Sequence, residues 1–251
     1  MTSDNSTSPN PYTRPGFLAA AALVTVLAIV GVVLGIISLT RDDSDAAAPS
    51  APSALASSEP TPEPSETAPP STSSSVCGLE GEVTSGTVTV APETNWKYQS
   101  TTAYPSSATY GPAISDQQGI RRCFQRSPEG ALFMASNAAV QGSSSVTGPD
   151  WAAYFLADGP FRESLLADAT YTESSDDTRM SIVGFRMLSY EGEAARVDIA
   201  VRTATSSGTV TASAVYELIW TDGDWKLDTS TDAPISVAPI PDTAGYTPWM
   251  E

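Results

Sequence analysis

Thr209-Val-Thr-Ala-Ser-Ala-Val-Tyr-Glu-Leu-Ile-Trp220, Thr221-Asp-Gly-Asp224 and Trp225-Lys-Leu-Asp228 form one continuous stretch whose reading decides the fold. The first segment alternates with a period of two, the signature of a half-buried strand. Asp-Gly at the centre of the second marks a tight two-residue turn. The third returns as a strand, so the stretch is a β-hairpin with a long first arm. Two more period-two segments precede it, Met180 to Tyr190 and Ala194 to Thr203. Upstream of these the period is helical. Ser127-Pro128-Glu129 supplies an N-cap, a proline at the first helical position and an acid in the first turn. Ala131, Leu132, Met134, Ala135, Ala138 and Ala139 then recur at helical spacing up to Gln141 and Gly142. Gly148-Pro149-Asp150 opens a second helix carrying Trp151, Tyr154, Phe155 and Leu156, and Gly159-Pro160 ends it. A third runs from Phe161 to Ala169. Three helices followed by three or four antiparallel strands predict an α+β fold, with the helices on one face of a bent sheet.

Further towards the N-terminus, Phe17 to Leu39 contains no charged residue. An apolar run of about 20 residues spans a bilayer as a helix, and this one lacks the polar face of a soluble helix. It predicts a transmembrane helix. Arg14 and the free amine place residues 1–16 in the cytoplasm and the large C-terminal part outside. A cleaved signal peptide, with Ala46-Ala47-Ala48 at the cleavage site, is the alternative, and the run is long for one. Gly31-Val-Val-Leu-Gly35 is a GxxxG sequence that lets a second helix approach closely, although Gly and Ala are common in such helices anyway.

The segments between are legible by composition. Residues 1–16 are Ser, Thr, Asn and Pro and should be disordered. The sequon Asn5-Ser6-Thr7 falls on the cytoplasmic side. In residues 40–75, prolines 49, 52, 60, 62, 64, 69 and 70 forbid a continuous helix. An extended chain of about 3.1 Å per residue makes this a stalk with an upper reach near 100 Å. Residues 76–126 mix Gly, Pro, Thr and Tyr, with Gly86 to Val90 as a short strand and Gly119 to Phe124 as a strand end. They read as an irregular wrap in which Trp96, Tyr98, Tyr104 and Tyr110 are packing anchors. Residues 233–251 hold four prolines and read as a tail on the surface.

The chain has 251 residues and a formal charge of −17 without a histidine; from Val76 onward there are 22 acids and 10 bases. An acidic domain without a basic stripe argues against nucleic acid as a partner. Cys77 and Cys123, an even pair beyond the membrane helix, predict one disulfide closing a loop of roughly 45 residues, worth about 3–4 kcal/mol.

The helix order and the closing Ile219-Trp-Thr-Asp-Gly-Asp-Trp-Lys-Leu227 hairpin resemble the NTF2-like, or cystatin-like cone, superfamily; the resemblance covers about Ser127 to Thr229 and implies an NTF2-like domain over residues 127–232. The Cys-Gly start, Gly119-Ile-Arg-Arg-Cys-Phe124 and Ser127-Pro-Glu-Gly-Ala-Leu-Phe-Met-Ala135 look like a family of actinobacterial membrane-anchored proteins encoded near conjugative-transfer genes. The architecture is also similar to that of the VirB8 and TcpC components of conjugative secretion channels. These resemblances imply a non-enzymatic accessory that contacts other membrane or channel proteins, and permit a homo-oligomer. A second reading is an extracytoplasmic small-ligand-binding or sensor domain. A third is an isomerase or hydrolase, because some NTF2-like members place an acid or a tyrosine inside the cone. Asp198, between Val197 and Ile199, and Glu217, between Tyr216 and Leu218, are the candidate bases, and Tyr216 the candidate oxyanion donor. The alternative for the acids is a solvated face paired with Arg186, Arg196 and Arg202 across the strands, which is the reading taken. No catalytic motif, phosphate loop or metal-spaced cluster is present, so no cofactor or metal is expected.

Overall fold

The computed structural model describes residues 75, 77–169, 179–206 and 208–251. The stretch Phe17 to Leu39, with Gly31 and Gly35, lies outside them, as do the N-terminal arm and nearly all of the stalk. Among the described residues no helix is long and apolar enough to cross a membrane.

Four short strands come first: β1 (Asn95–Gln99), β2 (Thr102–Ser106), β3 (Ile114–Ser115) and β4 (Arg121–Arg122). Three helices follow: α1 (Pro128–Gln141), α2 (Gly148–Phe155) and α3 (Arg162–Asp168). Then come β5 (Arg179–Tyr190), β6 (Ala194–Thr205), β7 (Gly208–Thr221), β8 (Asp224–Leu227), β9 (Ile235–Pro239) and β10 (Thr247–Pro248). The fold is α+β. Its main sheet is antiparallel in the order β10-β5-β6-β7, and β8 and β9 share the free edge of β7 end to end. Bulges between Ile182 and Gly184 and between Met187 and Ser189 bend β5 against β6.

The central hairpin forms as its sequence dictates. Asp222 and Gly223 both take positive φ, 53° and 74°, the conformation of a two-residue turn matched to strand twist. Trp220 and Trp225 then face each other, their rings 5.4 Å apart. Trp225 is fully buried and donates its indole N–H to Gln125 O at 2.9 Å.

Helix α1 starts where the cap signal puts it, with the Ser127 hydroxyl accepting from Gly130 N at 2.9 Å. It is not an amphipathic surface helix, because twelve of its fourteen residues are buried. The sheet lies against one side of it and residues 77–126 against the other. Its polar side chains grip that second layer: Asn137 donates to Pro105 O, and Gln141 exchanges two hydrogen bonds with the Arg121 backbone. Gly130 has no alternative here, since a Cβ would sit 1.9 Å from Gln125 O.

Two segments differ from their sequence reading. Gly86 to Val90 forms no strand; Val88 turns inward and joins the core, while the β1–β2 hairpin forms just after it. The tail does not merely cover the surface. β9 and β10 pair with the main sheet, and Trp249 is buried among Trp96, Phe133 and Phe185 at ring distances of 5.3, 5.3 and 5.6 Å. The prolines permit this because both tail strands are edges, where a missing N–H faces away from the ladder. Trp249 also donates to Thr94 Oγ1 at 2.9 Å, locking the tail to the first hairpin. Replacing Trp249 by Ala leaves a cavity between three aromatic rings and should cost about 3–5 kcal/mol. Thermal unfolding of W249A should fall by about 10 °C, whereas a tail that only lay on the surface would leave the midpoint unchanged.

Candidate functional site: two polar clusters on the sheet

Strand alternation separates two faces. Ala195, Val197, Ile199 and Val201 of β6, with Ala214, Tyr216, Leu218 and Trp220 of β7, belong to the core that α1 closes. Arg196, Asp198 and Arg202 of β6, and Ser213 and Glu217 of β7, point the other way, as the register Arg196↔Glu217 and Arg186↔Asp198 requires.

On this outer face Asp198 is fully buried although no helix covers it. Its Oδ1 accepts from Ser213 Oγ at 2.7 Å. Its Oδ2 accepts from Arg186 Nε at 3.0 Å, from Arg186 Nη2, and from the Tyr246 hydroxyl at 2.9 Å. The Tyr246 ring forms the roof, with the Arg186 guanidinium 4.2 Å from its centroid. The hydrogen bond to Asp198 raises the Arg186 pKa, and burial raises that of Tyr246. Both carboxylate oxygens are engaged, so Asp198 clasps the tail residue Tyr246 to β5 and β7. Glu217 pairs with Arg196 at 2.6 Å on the exposed part of the same face.

Tyr216 is on the opposite face, buried in the core, and burial alone raises its pKa. The structure therefore does not bring Asp198, Tyr216 and Glu217 together. Consecutive residues of one strand point to opposite sides of a sheet, and this divides Tyr216 from Glu217. Cys77 and Cys123 are paired, with Cα atoms 6.1 Å apart, inside the usual disulfide span of roughly 4.4–6.8 Å. Among the described residues no group of His, Cys, Asp or Glu could hold a metal.

The second cluster lies under the hairpin turn. Asp224, fully buried, accepts from Cys123 N at 2.7 Å, Phe124 N and Trp225 N at 2.9 Å, and the Tyr154 hydroxyl at 3.1 Å. Nearby, the buried Arg121 guanidinium stacks on Tyr104 at 3.7 Å and donates to Asn137 and Gln99, both at 2.7 Å. Burial lowers its pKa to about 10, so it stays cationic at neutral pH. Sequence reading missed both groups. The one signal for Asp224 was its place in the Asp-Gly-Asp turn; nothing local marks Arg121.

These two clusters join elements far apart in the chain of this α+β domain. The chain belongs to the family described as Domain of unknown function (DUF8175), which matches residues 57–248. No curated protein and no solved structure matches the chain.

Burial pushes the Asp224 pKa up to about 6, against the pull of its three N–H donors and of Tyr154. A raised carboxyl pKa means that the folded state holds the proton more tightly than the unfolded state. The contribution is therefore full below the unfolded value and is lost as pH rises through about 6. D224N does not titrate and serves as the reference. The stability gap between wild type and D224N should narrow by about 2 kcal/mol between pH 4 and pH 7 in denaturant melts. A gap that widens with pH would show that the hydrogen-bond donors outweigh burial.

Proposed function

We propose that this chain is a non-enzymatic, membrane-anchored extracytoplasmic protein whose NTF2-like domain contacts other proteins, as an accessory of a conjugative transfer or secretion channel. The observation that carries the reading is the filling of the space between sheet and helix. Phe133 of α1, Phe185 of β5, Tyr216 of β7, Trp225 of β8 and Trp249 of the tail belong to one continuous core. Where an NTF2-like enzyme or ligand binder would present polar groups, this domain presents packed rings. The pairs Arg186–Asp198 and Arg196–Glu217 of the sheet lie on its outer face instead. Three helices ahead of a bulged antiparallel meander, closed by a Trp-turn-Trp hairpin, support the NTF2-like assignment.

The Cys77–Cys123 pair supports an oxidising compartment for the domain. The run Phe17 to Leu39 supports the anchor, with the stalk between them. The test is crosslinking of the full-length protein in its own membrane, followed by mass spectrometry of the captured proteins. Channel or transfer components should be recovered at levels well above those of an unrelated membrane protein of equal abundance. Recovery of this chain alone, at high crosslinking yield, would overturn the accessory reading. Acid-quenched thiol trapping on intact cells tests the compartment separately. Both cysteines should resist alkylation until a reductant is added, and immediate labelling would place the domain in the cytoplasm.

A further inference from the structure

The outer face of the sheet carries a charge opposite to that of the domain. Arg179 and Arg186 of β5 and Arg196 and Arg202 of β6 all lie on it, against Asp198 and Glu217. Four of the ten bases after Val76 are thus gathered on one face of a segment whose formal charge is −12. Two of the four are already engaged, Arg186 with Asp198 and Arg196 with Glu217. Arg179 and Arg202 are exposed, and among the described residues neither meets a carboxylate. The register Arg179↔Ala204 and Ser181↔Arg202 puts them on neighbouring strands, two residues apart along the ladder. Ser181, Thr209 and Thr211 surround them with hydroxyls.

Their position on the sheet matters as much as their charge. The stalk joins the domain at Cys77, which is bonded to Cys123 beside Asp224 in the β7–β8 turn. The neighbouring β5–β6 turn is held at the same end, through Arg126, which donates to Gly192 O and pairs with Glu82. Arg202 lies eight residues along β6 from that end, about 26 Å at the rise of a strand. Arg179 and Arg202 are therefore at the end of the sheet opposite Cys77, near the β6–β7 turn.

We infer that this stalk-distal arginine surface, centred on Arg179 and Arg202, docks an acidic segment of a partner protein. The inference rests on the protein-contact reading above and names the surface and the chemistry of the partner. Guanidinium groups recognise carboxylates through paired, directional hydrogen bonds, and the flanking hydroxyls can satisfy the remaining acceptors of an extended acidic chain. On a domain whose net charge is negative, the patch also fixes the orientation of approach. A second copy of the domain does not fit as well, because its own strong negative charge opposes association over most of the contact.

The experiment places a photo-crosslinking amino acid at Thr209, beside the patch, in the full-length protein in its own membrane. A matching probe at the exposed Val146 between α1 and α2 serves as the control. The Thr209 probe should give an adduct whose linked peptide is rich in Asp and Glu. R179E/R202E should reduce that adduct about tenfold, the loss of one charge-assisted contact, and should leave adducts at Val146 unchanged. Both side chains are exposed and, among the described residues, meet no carboxylate, so the thermal midpoint should not move. R179Q/R202Q checks that loss of charge is sufficient. Adducts at Thr209 that survive charge reversal would overturn the inference, as would a probe that links to phospholipid. If R179E/R202E still recovers channel components in the general crosslinking experiment, the protein-contact reading stands and the arginine surface falls. If the wild type recovers none, both fall.

Discussion

Asp224 sits beneath the β7–β8 turn, shielded from water, with its two oxygens shared among three backbone N–H groups and one tyrosine hydroxyl. Two of those donors belong to Cys123 and Phe124, a hundred residues earlier in the chain. The third is in β8 and the fourth in α2. One carboxylate therefore joins the first layer, the second helix and the last hairpin. The disulfide lies at the same point, because Cys123 is both the donor to Asp224 and the partner of Cys77. Cys123 takes φ of +74°, uncommon for a residue with a side chain, and it keeps that conformation because its N–H and its sulfur are both held. Phe124 follows and is driven into the core beside Phe155.

The sheet has a helix on one side only, yet its centre is buried on both. Tyr246 lies across Asp198 and Arg186, and β10 holds the tail against Gly184 and Phe185. One residue beyond that strand, Trp249 enters the core. The tail thus uses opposite chemistry on the two sides of β5, a polar clasp outside and an aromatic plug inside. This arrangement explains why the outer face can carry a fully buried acid without a helix above it. It also divides that face in two. The roofed centre is occupied, and among the described residues nothing covers Arg179 and Arg202 near the β6–β7 turn.

Elements whose signal is local were legible in the sequence. The hairpin turn, the period-two strands from Arg179 to Leu227 and the Ser127 cap each depend on residues within a few positions of one another. The features that were not legible depend on residues far apart. Nothing around Tyr246 says that it will cover Asp198, 48 residues earlier. Trp249 sits among Tyr-Thr-Pro and Met-Glu, a context that reads as a surface tail, and only the hole between Phe133 and Phe185 gives it a buried position. The acids of β6 and β7 show the limit of alternation. It sorted Asp198 and Glu217 onto the face away from the core, and it could not tell that one would be buried and the other exposed.

The first layer raises a different question, because it has too little pattern to fix its own register. β1 and β2 have five residues each, β3 and β4 two each, and the segment between is turn-rich. Apolar contacts alone would let such a chain slide over α1 at small cost, since burial is not directional. Polar contacts are directional, and here they are concentrated at the layer boundary. Gln141 reads the Arg121 backbone, Asn137 reads Pro105, Trp225 reads Gln125, and Asp224 reads Cys123 and Phe124. A shift of one residue would leave a buried carboxylate, two amides and an indole without partners, each unmet group costing about 1–3 kcal/mol. The penalty of holding Asp224 and Arg121 out of water is therefore tied to a single alignment of the wrap. The disulfide closes the same alignment covalently, at the one residue where the stalk, the wrap and the hairpin meet.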